Sequence, residues 1–283
     1  MKKNILLPTD FSRNAWNAAL YARELYKNET CDFFLMNAFS SSYVALGDMD
    51  APVTGGNFYE SAKEIAEDGL EKALERILLK PRYNNHKYYT ISSFDNPLDA
   101  IKAVVNQKDI EIIIMGSKGS QDDSSDVFGS TTIAVMEKAR NCPVLAVPGH
   151  VTYKEPKEIV FPTNYKTYFK KRELQYMYEI AKITNAAIRI LHVKEDISLD
   201  DEQKNNKDLL ENCLEGLEYS FHELDNIDVL EGLENFVDSS SSDMIAFINK
   251  KHAFFNTIFS RPLVKNLGHE SKVPVLVMHD LKN

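Results

Sequence analysis

Three glycines and a serine in this chain stand at a spacing suited to holding an anion. In the run IIIMGSKGSQDDSSDVFGSTT, residues 112–132, Gly116, Gly119 and Gly129 are followed by Ser130 and Thr131, giving Gly-x2-Gly-x9-Gly-Ser. Glycine suits such work for two reasons. It reaches φ > 0 without strain, and without a Cβ it lets a phosphate approach backbone N–H groups. The stretch STTIAVMEKA that follows reads as a helix, whose free N–H groups and dipole favour negative charge at its start. Ser130 can cap that helix or offer a hydroxyl to a phosphate oxygen. The loop has neither the Gly-Lys-Ser/Thr of a P-loop nor a GxGxxG. A plain strand-to-helix turn is the competing reading. Asp122, Asp123 and Asp126 read as a solvated loop tip or as metal ligands, and they would repel a phosphate unless Mg²⁺ intervened. Lys118 is a solvated lysine as readily as a phosphate clamp.

The elements that must position these residues follow from patterning. NILLP, DFFLMNAF, HKYYTIS, IEIIIMG and CPVLAVP are apolar, strand-like runs. Between them lie amphipathic helices, the first opening at Ser12 as N-cap and the third carrying Pro97 in its first turn, where a missing N–H costs little. Strands alternating with helices imply parallel strands with right-handed crossovers and helices on both faces. In such a sheet ligands bind at the strand ends where the connection direction reverses, here between the first and fourth strands. Asp10, in PTDFS, and Gly116 then share one crevice.

The plan is written twice. KNILLPTDFS (Lys3–Ser12) returns as KEIVFPTNYK (Lys157–Lys166), and NCPVLAVP (Asn141–Pro148) returns as KVPVLVMH (Lys272–His279). The second strands pair Ala38 with Val193, so the residues missing from the second copy lie after its second strand. Most of that loss fits Ser40–Phe58, which has no counterpart. The second copy reads as EIVFP, a helix over ELQYMYEIAKIT, AIRILHV, a long helix over Leu199–Leu224 and a strand at IDVLEGL. A short, frayed helix at Glu234–Asp243, the strand DMIAFI, PLVKNLG and VPVLVMH complete it. The fold expected is α/β: two tandem, doubly wound, five-stranded parallel-sheet domains of Rossmann-like type, residues 1–150 and 155–283, joined by Gly149–Pro156. Both fifth strands are apolar edges, and exposed edges invite pairing.

With these pieces in place, the first half resembles a universal stress protein domain of the ATP-binding type, and the whole chain resembles a tandem member of that family. The resemblance rests on Gly116, Gly119, Gly129 and Ser130 at the family's loop spacing, with ILLPTDFS, FDNPLDAI and CPVLAVP as its other recurrent pieces. It implies the adenine nucleotide alpha-hydrolase-like fold and ATP, with or without Mg²⁺, as cofactor. Asp10 would bond the adenosine moiety, and Pro8, Thr9, Ala38 and Met115 would line the adenine pocket. Gly116, Gly119, Gly129, Ser130 and Thr131 would cradle the phosphates. The family's pairing of edge strands implies an intrachain pseudo-dimer and makes a homodimer plausible. Its function would be that of a stress-response sensor or regulator; a slow ATPase, a nucleotidyl transferase and a non-nucleotide scaffold are the alternatives.

The second copy departs from the motif. Asn164 replaces Asp10, Asn249 and His252 meet Gly116 and Gly119, and Ser260, Arg261 and Pro262 meet Gly129, Ser130 and Thr131. Each close-approach position carries a side chain, so this half is expected not to bind ATP. His252 with Phe254 and Phe255 reads as packing that fills a vacated crevice, or as a ligand pocket. His192 reads as a half-buried structural histidine.

Bulk properties bound the rest. Of 283 residues 43% are hydrophobic and 27% charged, as in a soluble globular protein, and the net charge of −9 comes without a basic block. Nucleic acid and anionic membranes are therefore not expected partners. The apolar run before Pro8 is too short for a signal sequence, and no stretch approaches the length of a membrane span. Cys31, Cys142 and Cys213 lack metal-ligand spacing and read as free thiols in a reducing cytoplasm.

Overall fold

The computed structural model describes residues 2–40, 58–119, 128–194, 198–225, 229–249 and 272–279. The first half runs β1 (Lys3–Pro8), α1 (Arg13–Leu25), β2 (Cys31–Phe39), α2 (Phe58–Leu78), β3 (His86–Phe94), α3 (Pro97–Gln107), β4 (Ile112–Gly116), α4 (Ser130–Lys138) and β5 (Val144–Val147). The second half runs β6 (Glu158–Pro162), α5 (Lys171–Thr184), β7 (Ala187–Lys194), α6 (Asp201–Cys213), β8 (Tyr219–Asp225), α7 (Val229–Ser240), β9 (Met244–Asn249) and β10 (Val275–His279).

The strands form one ten-stranded sheet in the order β3-β2-β1-β4-β5-β10-β9-β6-β7-β8. Each half is parallel throughout, with the reversal of connection direction falling between β1 and β4 and between β6 and β9. The halves join where β5 runs antiparallel to β10, with Leu145 opposite Leu276 at the centre of the seam. The fifth strands therefore lie inside the sheet, and β3 and β8 are its outer edges.

Alternating strand residues divide the core into two layers, as a sheet buried on both faces requires. Ile5, Leu7, Phe33 and Leu35 face one layer with α1 and α2, joined there by α5 and α6. Leu6, Phe34, Met36 and Met115 face the other with α3, α4 and α7. Ser12 caps α1 by accepting from Ala15 N at 3.1 Å, and Asn96 caps α3 with Pro97 in its first turn. The linker after β5 is held against α1, where Asn17 Nδ2 donates to Pro148 O and Val151 O at 3.1 and 2.8 Å. Lys3 of β1 reaches Glu179 of α5 at 2.8 Å across the halves. All three cysteines are free and buried, and burial pushes the Cys31 thiol up to about 12.

The second half corrects the sequence reading in three places. The long helix expected over Leu199–Leu224 ends at Cys213, and Tyr219–Asp225 is a strand. Leu210, Leu214, Leu217, Phe221 and Leu224 keep near-helical spacing, which hides the break. Leu214 is the C-cap, Gly216 at φ 87 turns the chain two residues later, and beyond it Tyr219 and Phe221 turn to one layer while Leu224 turns to the other. IDVLEGL is accordingly not a strand. From Val229 onward it opens α7, which runs to Ser240 with Leu233 and Val237 buried, so the frayed helix expected at Glu234–Asp243 is the latter part of a full one. The missing residues lie wholly between the second and third strands. Phe33 and Ile188 are equivalent in register at a separation of 155, whereas Tyr88 and Tyr219 are equivalent at 131. Part of the loss is helix, since α2 has 21 residues and α6 has 13. PLVKNLG lies outside the described residues.

Candidate functional site

At the carboxyl ends of β1 and β4 a cleft of about 560 Å³ opens between α3 and α4. All ten residues singled out in the sequence line it. Pro8, Thr9 and Asp10 come from the end of β1, Ala38 from β2, Met115 and Gly116 from β4, and Gly119 from just beyond. Gly129, Ser130 and Thr131 come from the start of α4.

The β1 end is a built turn. Phe11 sits at φ 64, a conformation that a non-glycine residue adopts only when held. Phe11 N donates to Thr9 Oγ1 at 3.0 Å, and Ser12 N donates to Asp10 Oδ1 at 3.1 Å. Asn37 Nδ2 donates to Thr9 O at 2.7 Å from the neighbouring strand. Asp10 therefore supports the turn through one carboxylate oxygen rather than capping α1, which is the work of Ser12.

The glycines differ from expectation in one respect. None of Gly116, Gly119 and Gly129 has a positive φ, and Gly129 is extended at φ −69, ψ 157. Left-handed backbone is thus not what these positions need. Close approach is. A Cβ on Gly116 would lie 3.0 Å from the carbonyl carbon of Asn14 and 3.1 Å from Ala15 N, and one on Gly119 would lie 3.1 Å from Asp10 Oδ2. Gly116 lets the first turn of α1 settle on the end of β4. The second half shows the alternative. Sheet register makes buried Ile248 the second-half equivalent of Gly116, one residue before the Asn249 expected from the sequence. There α5 begins at Lys171, nine residues after Pro162, whereas α1 begins at Arg13, five after Pro8.

Helix α4 starts without a side-chain cap. Its N-cap residue is Gly129, so Ser130 is the first helical residue and not the cap. Its first-turn N–H groups have no partner within the helix and lie beside the cleft, where an anion can satisfy them. The two ends of the loop are stapled together. Gly129 N donates to Ser117 O at 2.8 Å, and Thr132 Oγ1 donates to Gly116 O at 2.9 Å. Phe128, 1% exposed, anchors the return into the core. The same cleft is lined by Met36, Ala38, Pro97, Ile101 and Met115, an apolar set. The arrangement suits an elongated ligand with a flat apolar end and an anionic end.

Sequence reasoning missed Asn37, Thr132, Phe128, Pro97 and Ile101 as parts of this site. Asn37 carried a signal, as the one amide of β2, set between Phe33–Met36 and Ala38–Phe39. Pro97 and Ile101 lie in FDNPLDAI, a piece that carried the resemblance but not a place in the cleft, because only the crossover packs α3 against β2 and α4. Among the second-half residues weighed, His192 is fully buried rather than half-buried, with Nδ1 2.9 Å from Thr163 O. His252, Phe254, Phe255, Ser260, Arg261 and Pro262 lie outside the described residues, as do Asp122, Asp123 and Asp126.

Comparison with solved structures places this architecture. A universal stress protein from Archaeoglobus fulgidus DSM 4304 superposes over 97% of this chain and 95% of its own, with TM-score 0.67 at 18% identity. A functionally unknown protein from Pseudomonas aeruginosa PAO1 covers 98% and 92%, with TM-score 0.55 at 10% identity. The cytoplasmic domain of a prokaryotic cation chloride cotransporter covers 99% and 96%, with TM-score 0.50 at 10% identity. At such identities the likeness is one of fold, and fold alone does not carry function. No curated protein matches the sequence. Residues 1–148, more than half of the chain, match the model of the Universal stress protein family, and the chain belongs to that family.

Proposed function

We propose that this protein binds one ATP per chain, in the first-half cleft, and acts in the cytoplasm as a stress-response sensor or regulator. Nucleotide occupancy would alter its shape or its partner contacts. The observation that carries this reading is the uncapped start of α4, which shares a cleft of about 560 Å³ with Gly116, Gly119 and a set of apolar side chains. That volume falls within the range of small-molecule sites. Asp10 would bond the adenosine moiety, and Pro8, Thr9, Ala38 and Met115 would line the adenine pocket. Gly116, Gly119, Gly129, Ser130 and Thr131 would hold the phosphates, with or without Mg²⁺.

The β5–β10 seam supports reading the halves, residues 1–150 and 155–283, as an intrachain pseudo-dimer. A homodimer would need another surface, since both fifth strands are already paired. Among the described residues no helix is long and apolar enough to cross a membrane. Buried free thiols agree with a reducing compartment.

Equilibrium dialysis of the purified chain against ATP, with native mass analysis of what co-purifies, tests the reading. The expected result is one tightly held ATP. Two equivalent sites would contradict the single-site assignment, ADP would point to turnover, and no nucleotide in either measurement would favour an interaction scaffold.

A further inference from the structure

Asn14 touches three parts of the molecule at once. Its Nδ2 donates to Lys118 O at 3.3 Å, on the arm that carries Gly119 into the cleft. Its backbone and Cβ meet Gly116, whose own Cβ would lie 3.0–3.1 Å away. On its other side, Oδ1 would stand 1.8 Å from a Cβ on Gly149, so the amide lies directly against the first turn of the linker. Gly149 is two residues beyond Val147, the last residue of the strand that pairs with β10. One helical turn later, Asn17 holds the same linker through Pro148 O and Val151 O.

We propose that Asn14 is a positioning residue that couples the cleft to the junction between the halves, with its side-chain amide as the mechanical link. The geometry leaves the amide little room to move alone. Gly116 and Gly149 are close-approach positions on opposite sides of it, and packed contacts of this kind pass on displacements rather than absorb them. A change at Lys118–Gly119 must shift Asn14, and a shift of Asn14 must press on or release Gly149. In the other direction, the linker sets how firmly the arm is held before any ligand arrives. The two ends of this contact are 31 residues apart in sequence; the β4–β5 pairing, ending with Ser117 N on Val147 O at 3.0 Å, brings them near, and Asn14 bridges Lys118 and Gly149 just beyond it. For its ligand-bound arm this proposal rests on the nucleotide reading. For its ligand-free arm it does not.

The ligand-free arm is tested by hydrogen–deuterium exchange on the full chain. Gly149 is not at a positive φ, so alanine is tolerated by the backbone there, and its Cβ displaces the Asn14 amide. Gly149→Ala should raise exchange by about tenfold at the Ser117 and Gly129 amides, whose bonds to Val147 O and Ser117 O hold the arm beside Lys118. Asn14→Ala should raise it as much, and the double variant no further. Unchanged exchange at Ser117 and Gly129 in folded Gly149→Ala, or full additivity in the double variant, overturns the coupling whether or not ATP binds. In the ligand-bound arm, ATP should protect residues 116–119 and 148–153 in the wild type. In Asn14→Ala it should protect only the first segment. Equal protection of 148–153 in both proteins overturns the coupling, and failure of ATP to protect 116–119 in the wild type counts against the nucleotide reading alone.

Discussion

The turns that follow β1 and β6 are the same piece of backbone in two settings. Phe11 and Tyr165 sit at φ 64 and 57, and each donates its N–H to the threonine two residues earlier, at 3.0 and 3.1 Å. Asp10 Oδ1 accepts from Ser12 N at 3.1 Å, and Asn164 Oδ1 accepts from Lys166 N at 3.0 Å. Asn37 bonds the Thr9 carbonyl, and His192 bonds the Thr163 carbonyl in the equivalent place. What differs is the cover. Phe11 is 40% exposed, with its ring over Gly69, whereas Tyr165 is 1% exposed and packs at 5.0 Å from the His192 ring. In the second half Gln203 Nε2 donates to Asn164 O at 2.9 Å and Asn206 Nδ2 to Tyr165 O at 2.8 Å, both from α6. The shortened stretch after β7 brings α6 onto the turn and pins its carbonyls. The comparison teaches that PT(D/N)(F/Y) specifies a turn, and that the elements packed on it decide whether the turn lines a cleft or becomes core.

The most severe way to break the comparison is to close the open cleft. Gly129→Val should abolish ATP binding, at least a hundredfold in affinity, because a branched side chain would stand where phosphate meets the N–H groups of α4. The chain should stay folded, since φ −69, ψ 157 suits valine well. Calorimetric titration measures the affinity and circular dichroism the fold; unchanged affinity in a folded variant removes the phosphate-loop assignment.

The reverse experiment unpacks the sealed turn. Tyr165→Ala should cost about 3–5 kcal/mol, the range for deleting a buried aromatic ring. Phe11→Ala should cost well under half of that, its ring being partly in water. Urea denaturation of both variants gives the ratio. Equal losses would mean that the two turns are covered alike.

A finer test uses the acid in the open turn. Asp10→Ala should weaken ATP by roughly 1.5–3 kcal/mol, the worth of a hydrogen bond to a charged group, and leave inorganic triphosphate almost unaffected. If both ligands weaken equally, Asp10 acts only by supporting the turn. The parallel change Asn164→Ala should leave ATP affinity within error of wild type.

The smallest effect concerns pH. His86, buried in β3 with Nε2 2.9 Å from Tyr26 O, has its basicity lowered, chiefly by burial. The unfolded chain therefore binds this proton more readily than the folded one. The contribution to stability is complete above the ordinary histidine value of about 6.5 and falls as pH drops through it. His86→Gln keeps a donor to Tyr26 O but does not titrate. Urea midpoints at pH 7.5 and 5.5 should differ less in the variant than in the wild type. An equal difference would place the acid sensitivity elsewhere, with His222 of the second half, similarly lowered by burial and by Arg189, as the next residue to replace.

Much of this molecule is legible in its residues and their order. Hydrophobic runs of strand length, Pro97 in a first turn, Ser12 at a cap and the repeated PT and PVL pieces are local signals, because turn chemistry and burial on two faces act on neighbouring residues. They suffice to bring Asp10 and the glycine loop to one cleft, whereas Pro8, Thr9, Ala38 and Met115 are expected there only from the family resemblance. The sequence misleads where a local period is ambiguous: Leu210 to Leu224 keep helical spacing across a glycine, and only pairing of Tyr219–Asp225 with β7 makes the last of them strand. Tertiary structure alone decides the rest. Whether a glycine is needed for its φ or for its missing Cβ depends on what stands opposite, and for Gly116 that is Asn14, about a hundred residues earlier in the chain. Whether a turn is open or sealed depends on how far the next helix reaches, as Gln203 and Asn206 do over Asn164 and Tyr165. Such contacts join residues distant in sequence, so no window along the chain contains both partners, and their energies exist only once the sheet has brought them together.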